Sequence, residues 1–338
     1  MAPQKQVWKP RRDGALTRRL GALARRALLA YDVEVTSLVP LAINQNWMFR
    51  LRTGDGRQFV VRVNRPGMRT PLDVASEMAW LAALRRDTDL IVPDPLPDRT
   101  GGHVQVLPDA QGVLHPVSVF GWIAGRNVGQ KVDVRLARGM GESVGRLQEH
   151  ADRFRPPVPF TTSTLDDVWA FGPEPGVLAP GATPHDWFPP ARREAIRRAA
   201  ARGQARIDAL HADKSQLRFL HIDLHMGNVR WLKGGGLALL DFDDSRWAHP
   251  VQDFAIPLFY LWHHEHGDAL WDAYAQGYAS VRGDVPAARE VLYDLVAARQ
   301  VDLVAFVLES RLLEESAMPA WLERAEQRLL RLEKLARP

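Results

Sequence analysis

Apolar residues recur with period two in the first third of the chain and with helical period over most of the rest. Residues 33–39, 47–51 and 58–63 read as three strands, and Gly54, Asp55 and Gly56 mark a tight turn between the last two. In the third strand, alternation puts Phe59, Val61 and Val63 on one face and Arg62 on the other. Val74, Met78 and Leu81 then recur at i, i+4 and i+7, which predicts a helix over 71–86. Further strand segments follow between 91 and 126, the last running into Gly121. Beyond it, Leu136, Met140, Val144 and Leu147 predict a helix over 132–149, and helix returns over 191–211 with many arginines expected to face solvent. Residues 154–190 break the pattern. They are dense in Pro and Gly, yet they carry Trp169, Phe171, Trp187 and Phe188, which argues against a freely solvated linker. Apolar or amphipathic helices over 254–262, 291–313 and 318–335 complete the chain. At its start, Leu16, Leu20, Leu23 and Ala27 share one helical face among arginines, a face expected to pack on the first strands.

The stretch 220–244 carries the densest chemistry. His221, Asp223 and His225 are spaced by two, Gly227-Asn228 follows, and two apolar runs flank Lys233-Gly234-Gly235-Gly236 before Asp241, Asp243 and Asp244. Two short apolar runs around a glycine-rich turn predict a β-hairpin. With the turn centred between Gly234 and Gly235, Asn228 falls opposite Asp241, although a one-residue slip turns these side chains to opposite faces. An amide oxygen beside a carboxylate makes a pair of hard ligands of the kind Mg²⁺ accepts alongside waters and phosphate oxygens. Asp223, on the loop entering the hairpin, is placed to orient or deprotonate an attacking hydroxyl, as phosphoryl transfer requires. A competing reading keeps His221, Asp223 and His225 on one face of a strand as Zn²⁺ ligands of a metal-dependent hydrolase.

His221-x-Asp223-x-x-x-x-Asn228, followed by Leu239-Leu240-Asp241-Phe242-Asp243-Asp244, resembles the aminoglycoside/choline-kinase-like phosphotransferases, and looks most like their bacterial stress-response kinase branch. The resemblance implies an α+β, bilobal protein-kinase-like fold: a basic helix over 1–30, a nucleotide-binding lobe over 31–117, a hinge over 118–124 and a helical lobe over 125–338. It implies ATP as cosubstrate, Mg²⁺ on Asn228 and Asp241, Asp223 as the catalytic residue, and His221 and Asp253 bracing the catalytic loop. Asp253 also reads as a helix cap. Arg62 stands where the family often has a lysine that contacts the nucleotide phosphates, with Glu77 as its helix partner. Asn44 and Asn46 lie in the turn that covers the phosphates, and backbone groups of Ser118 to Phe120 are expected to meet adenine. Two departures are visible, Arg62 for lysine and Ile222 for the glycine of the family's HGD motif. Arginine keeps the charge but changes reach and geometry. These departures also admit a nucleotide-binding pseudokinase. The acceptor implied is a hydroxyl of a small molecule or, as in the stress-response branch, a protein Ser/Thr.

Composition narrows the setting. The 338 residues are 46% hydrophobic and 25% charged, an ordinary globular balance. With no cysteine, disulfides, thiolate metal sites and a Cys nucleophile are excluded, and a cytoplasmic location is expected. No run has the length of a membrane span. The net charge of +4 is scattered and carries no nucleic-acid-binding signature, but it suits a polyanionic nucleotide.

Overall fold

The computed structural model describes residues 14–43, 46–129, 132–183, 185–310 and 313–336, which form two compact units. The first (Met1–Gly125, Phe154–Thr162 and Ala238–Asp243) is built on a five-stranded antiparallel sheet. Helix α1 (Gly14–Leu28) precedes β1 (Val35–Ile43), β2 (Trp47–Thr53) and β3 (Gln58–Val63). Helix α2 (Pro71–Asp87) then leads to β4 (Gln105–Pro108) and β5 (Leu114–Gly121), and the sheet order is β1-β2-β3-β5-β4. Alternation decides the core. Phe49, Leu51, Phe59, Val61, Val117 and Val119 turn one way, and Leu20, Leu23, Ala24, Ala27 and Leu28 of α1 cover them. Arg62 points the other way and is nevertheless buried, at 4% exposure. The entry to α2 is fixed by a capping box, in which Thr70 accepts from the Asp73 N–H and Asp73 reaches back, with Pro71 opening the first turn.

The first residues of the expected hinge, 118–121, are strand: Arg62 pairs with Ser118 and Val60 with Phe120 on one edge. On the other edge, Leu96 N–H donates to Val119 O and Gly121 N–H to Asp94 O, each at 2.8 Å. Backbone bonds from β3 and from residues 94–96 therefore flank this stretch, and the backbone groups of Ser118 and Phe120, from which adenine contacts were expected, face β3.

The second unit (Arg126–Arg153, Ser163–Leu237 and Asp244–Pro338) is mainly helical. Its helices are α3 (Val134–Arg153), α4 (Pro190–His211), α5 (Pro250–Trp262), α6 (Gly267–Arg282), α7 (Arg289–Ser310) and α8 (Met318–Leu335). Short strands punctuate it. β6 (Arg126–Asn127) pairs with β8 (Val229–Trp231), while β7 (Arg218–Leu220) pairs with β10 (Arg246–Ala248). β9 (Leu237–Leu239) spans the boundary between the units along the chain.

The glycine-rich turn forms, with its register moved by one residue, so the expectation that the ladder sets Asn228 opposite Asp241 is corrected, and Asp241 lies beyond the end of β9 at Leu239. Leu232 N–H donates to Gly236 O at 3.1 Å and Gly235 N–H to Leu232 O at 3.2 Å, which centres the turn on Gly234. Gly234 and Gly235 both have φ of 102°, open only to glycine at low cost. The segment 163–190 is ordered by arginines of α4 that were expected to face solvent. Arg193 donates to Phe188 O at 2.8 Å and to Thr183 O at 2.9 Å, and Arg197 to Leu178 O at 2.7 Å. A segment with little ladder of its own has carbonyls to satisfy, and these guanidinium groups satisfy them. No described helix is long and apolar enough to cross a membrane.

Helices α3 and α6 cross at glycine contacts. A Cβ at Gly141 would lie 2.0 Å from Tyr274 O, and one at Gly277 would lie 2.0 Å from Arg138 O. Because backbone atoms cannot swing aside, Gly141→Ala is expected to lower stability by roughly 1–3 kcal/mol or more, as overpacking does. Chemical-denaturation midpoints measure this, and an unchanged midpoint would show that the helices part without cost.

Candidate active site

In the second unit, the predicted catalytic residue Asp223 sits on the loop after β7, within a ring of polar groups. Its Oδ1 accepts from Arg299 Nη2 of α7 in a short ion pair. Its Oδ2 accepts from Asn228 Nδ2 at 3.2 Å, and its backbone carbonyl accepts from the same amide at 2.9 Å. His225 Nε2 lies 3.5 Å from Oδ2. Burial pushes the Asp223 pKa up, but Arg299 together with His225 and His221 outweighs it and holds the carboxyl at about 2.

Arg299 was not legible as a site residue, and it is the hub of the cluster. Nη2 also donates to Tyr260 Oη at 2.9 Å, and Nη1 donates to Asp302 at 3.2 Å. The guanidinium lies over the Phe171 ring, 4.7 Å from its centroid. Asp302 in turn accepts from the Phe171 N–H at 2.8 Å, so the Pro- and Gly-rich segment is tied to α7 at this point. Burial raises the Asp302 pKa to about 6 despite Arg299.

Asp253 and His221, the expected braces, both bond backbone N–H groups of the loop. Asp253 is four residues into α5, whose cap is His249, so the plain capping reading of Asp253 is replaced. Its Oδ1 accepts from Ile222 N–H at 2.8 Å and its Oδ2 from Gln148 Nε2 at 3.0 Å. Burial raises its pKa, with Gln148, the Ile222 N–H and His221 opposing. His221 is fully buried and its Nδ1 accepts from Asp223 N–H at 3.3 Å. Ile222 has φ of 54°, a conformation glycine adopts freely and a β-branched residue adopts only under constraint. The bond to Asp253 and burial among Leu165, Leu220 and Ile256 supply that constraint. The departure from glycine thus changes the side chain and keeps the backbone.

The zinc reading finds no support in this geometry. His225 caps a short turn, its Nδ1 accepting from Gly227 N–H at 2.9 Å, and His221 braces the loop. Among the described residues, no group of three or more His, Cys, Asp or Glu side chains is placed to hold a metal ion.

The first unit gathers the other predicted residues. Arg62 donates to both oxygens of Glu77, at 2.9 and 2.7 Å, and Arg69, which sequence reasoning missed, also pairs with Glu77. Burial opposes ionisation of both partners. Even so, Glu77 with Asp243 and Asp241 raises the Arg62 pKa, and Arg62 with Arg69 lowers that of Glu77. Arg62 also lies over the Phe120 ring, 5.0 Å from its centroid. Asn46 Nδ2 donates to Asp243 Oδ2 at 2.8 Å and Asn46 Oδ1 accepts from Arg65 N–H at 3.3 Å, which ties the β1–β2 turn to the acidic run. Asn44 lies outside the described residues. Asp241 is exposed and has φ of 63°.

Residues 38–292 match the phosphotransferase enzyme family. The chain belongs to this family. A protein from Deinococcus radiodurans is 29% identical over 294 residues, spanning 82% of this chain and 79% of its own length. Stress response kinase A of Escherichia coli is 26% identical over 232 residues, 67% of this chain and 64% of that kinase. Among solved structures, a microcompartment-associated aminopropanol kinase is 24% identical with a TM-score of 0.74, covering 93% of this chain and 96% of its own. An amicoumacin kinase in complex with AMP-PNP and Ca²⁺ is 17% identical, also with a TM-score of 0.74, covering 95% and 96%. The α+β, kinase-type fold of this phosphotransferase agrees with the architecture expected from its sequence.

The Asp302 shift has a defined sign. The folded state binds a proton between an ordinary value of 3.8 and about 6 that the unfolded state releases, so stability falls as pH rises through that window. Asp302→Asn is expected to remove this decline. Denaturation midpoints taken between pH 4 and 7 test it, and an unaltered slope would relocate the proton.

Proposed function

We propose that this phosphotransferase moves the γ-phosphoryl group of ATP, in the presence of Mg²⁺, to a hydroxyl of a small molecule. The observation that carries the reading is the fixing of Asp223 from two sides, by Arg299 and by Asn228, with its carboxyl held at about 2. So weak a base serves chiefly to orient the acceptor hydroxyl, which suits a loose transition state that asks for little proton abstraction. Asn228 spends its amide nitrogen on Asp223, so the amide oxygen is the atom it has for a cation. The exposed carboxylate of Asp241 is likewise a hard oxygen donor of the kind Mg²⁺ accepts. When bound, the ion would neutralise phosphate oxygens.

Arg62 would clamp phosphate and Glu77 would hold it in place. Both its terminal nitrogens are engaged by Glu77, so its contribution is chiefly that of a fixed buried charge. Asn46 would set the turn that covers the phosphates. The adenine contacts assigned to Ser118 and Phe120 are dropped. The relatives named as aminopropanol and amicoumacin kinases support a small acceptor over a protein Ser/Thr. The pseudokinase reading loses its ground, since Ile222 adopts the backbone its motif needs and Arg62 keeps its glutamate partner.

Two variants test these roles. Asp241→Ala is expected to abolish the rise in unfolding midpoint that Mg-ATP gives the wild type, since only a ligand bound to the folded state raises it. An equal rise in the variant would remove Asp241 from the metal site. Asp223→Ala is expected to keep Mg-ATP binding while turnover drops by about 10²–10⁴-fold. Turnover at the wild-type level would end its catalytic assignment.

A further inference from the structure

Two arginines share one buried carboxylate in the first unit, although one of them is enough to balance it. The Glu77 side chain is 1% exposed, and Arg62 occupies both of its oxygens, with Nη1 on Oε1 at 2.9 Å and Nη2 on Oε2 at 2.7 Å. Arg69 Nη1 donates to the same Oε2 in a short ion pair. The cluster therefore carries one positive charge more than its carboxylate cancels.

The start of α2 holds Arg69 in place. It precedes the N-cap Thr70, and its Nη2 donates to Asp73 O at 2.8 Å. The Asp73 carboxylate is already engaged, because its Oδ2 accepts from the Thr70 N–H at 2.8 Å and from Thr70 Oγ1 at 2.7 Å in the capping box. Arg69 pairs instead with Glu77, one turn further along the helix.

The two arginines differ in what else they meet. Past Glu77, the charges acting on Arg62 are those of Asp243 and Asp241, the second of them the proposed metal ligand. Arg62 is thus the cation that a phosphate brought to Asp241 would meet. In its position on Glu77 it has no donor to offer, since both terminal nitrogens are engaged and Nε is buried. That Nε has no partner, so Glu77 does not satisfy the guanidinium completely. Arg69 is more open, with 16% of its side chain exposed against 5% for Arg62.

To reach a phosphate, Arg62 must give up at least one bond to Glu77. With Arg62 as sole partner, that step would strand a buried carboxylate, which is the costly way to break an ion pair. Arg69 removes this obstacle. It stays on Oε2 as Arg62 turns away, so Glu77 is paired before and after the exchange. The phosphate then meets a planar fork of donors that matches its oxygens.

We propose that Arg69 is a positioning residue for the nucleotide: it keeps Glu77 neutralised while Arg62 exchanges that carboxylate for a phosphate of ATP. The proposal rests on the phosphotransferase reading above and goes beyond it in making Arg62 a direct phosphate ligand. No covalent bond changes in the exchange.

The test is a calorimetric titration of the full chain with Mg-ATP, beside the unfolding midpoint measured without nucleotide. Arg69→Gln removes the charge and keeps an amide donor. It is expected to raise the Kd for Mg-ATP about tenfold or more, the scale of one hydrogen bond to a charged group. Its midpoint should stay near that of the wild type, because Arg62 still occupies both oxygens of Glu77. Arg69→Lys keeps a cation beside Glu77 and should recover most of the affinity. Arg69→Met, which retains the apolar stem, takes the place of the Gln variant if that one does not fold. An unchanged Kd in the uncharged variant overturns the exchange, and a lowered midpoint with that Kd would leave Arg69 a structural part of its loop. A Lys variant as weak as the Gln variant overturns it too, since the charge would then not be what Arg62 depends on. Failure of the phosphotransferase reading looks different: the wild type itself would show no Mg-ATP binding, and the exchange would fall with it.

Discussion

The ion pair between Arg299 and Asp223 is the contact on which the arrangement of the second unit turns. A buried pair of this kind contributes little net stability, because desolvation of both ions offsets most of their attraction. What it contributes is position. Arg299 engages Asp223, Tyr260 and Asp302 at once, with Phe171 against its face, so the Asp223 loop, α5, α7 and the segment after Ser163 share one guanidinium. Only arginine offers enough donors in a fixed plane for that task. The loop carries few backbone bonds of its own, and a side chain delivered by a long helix replaces them.

The first unit solves a similar problem by the same means. Arg62 and Glu77 are nearly fully buried, and Arg69 adds a second cation to the same carboxylate. Removing either member of such a pair leaves an uncompensated buried charge, which is costly. The geometry is correspondingly rigid: β3 and α2 are locked to each other through a two-pronged contact, and the aromatic face of Phe120 closes the third side of Arg62.

Much of this was legible in the chain. Strands and helices appeared because apolar periodicity in β3, α2 and α3 is clear, and Asp223, Asn228 and His221, close in sequence, lie on one loop that Asp253 bonds, a residue only the family resemblance had pointed to. The misses have physical causes. Arg299 was overlooked because it lies in the middle of a long helix that is buried over most of its length, Leu292 to Val307, far along the chain from Asp223. A charged residue within such a run is itself the signal, since it is rarely buried without a partner. That Ser118 and Phe120 pair with β3 was not legible, because apolar residues ending in Gly121 look the same whether the strand edge is open or paired. The solvent-facing reading of the α4 arginines failed for a related reason. Composition records the charge and not the carbonyls of a distant segment that await it.

Backbone strain links the sequence's departures to its chemistry. The only non-glycine residues of positive φ among those described are Ile222 and Asp241, one beside the proposed catalytic carboxylate and the other the proposed metal ligand. Each such conformation costs of order 1–3 kcal/mol and persists only where surroundings over-determine it. For Ile222 those surroundings are identifiable: the Asp253 carboxylate on its N–H and a closed apolar pocket around its side chain. Glycine at this position would relieve the strain and release the packing together. Isoleucine therefore trades conformational ease for burial, and the trade holds only while Asp253 remains a hydrogen-bond acceptor. That makes Asp253 an indirect support of the geometry of Asp223, acting through the Ile222 backbone, beside the direct hold of Arg299 and Asn228.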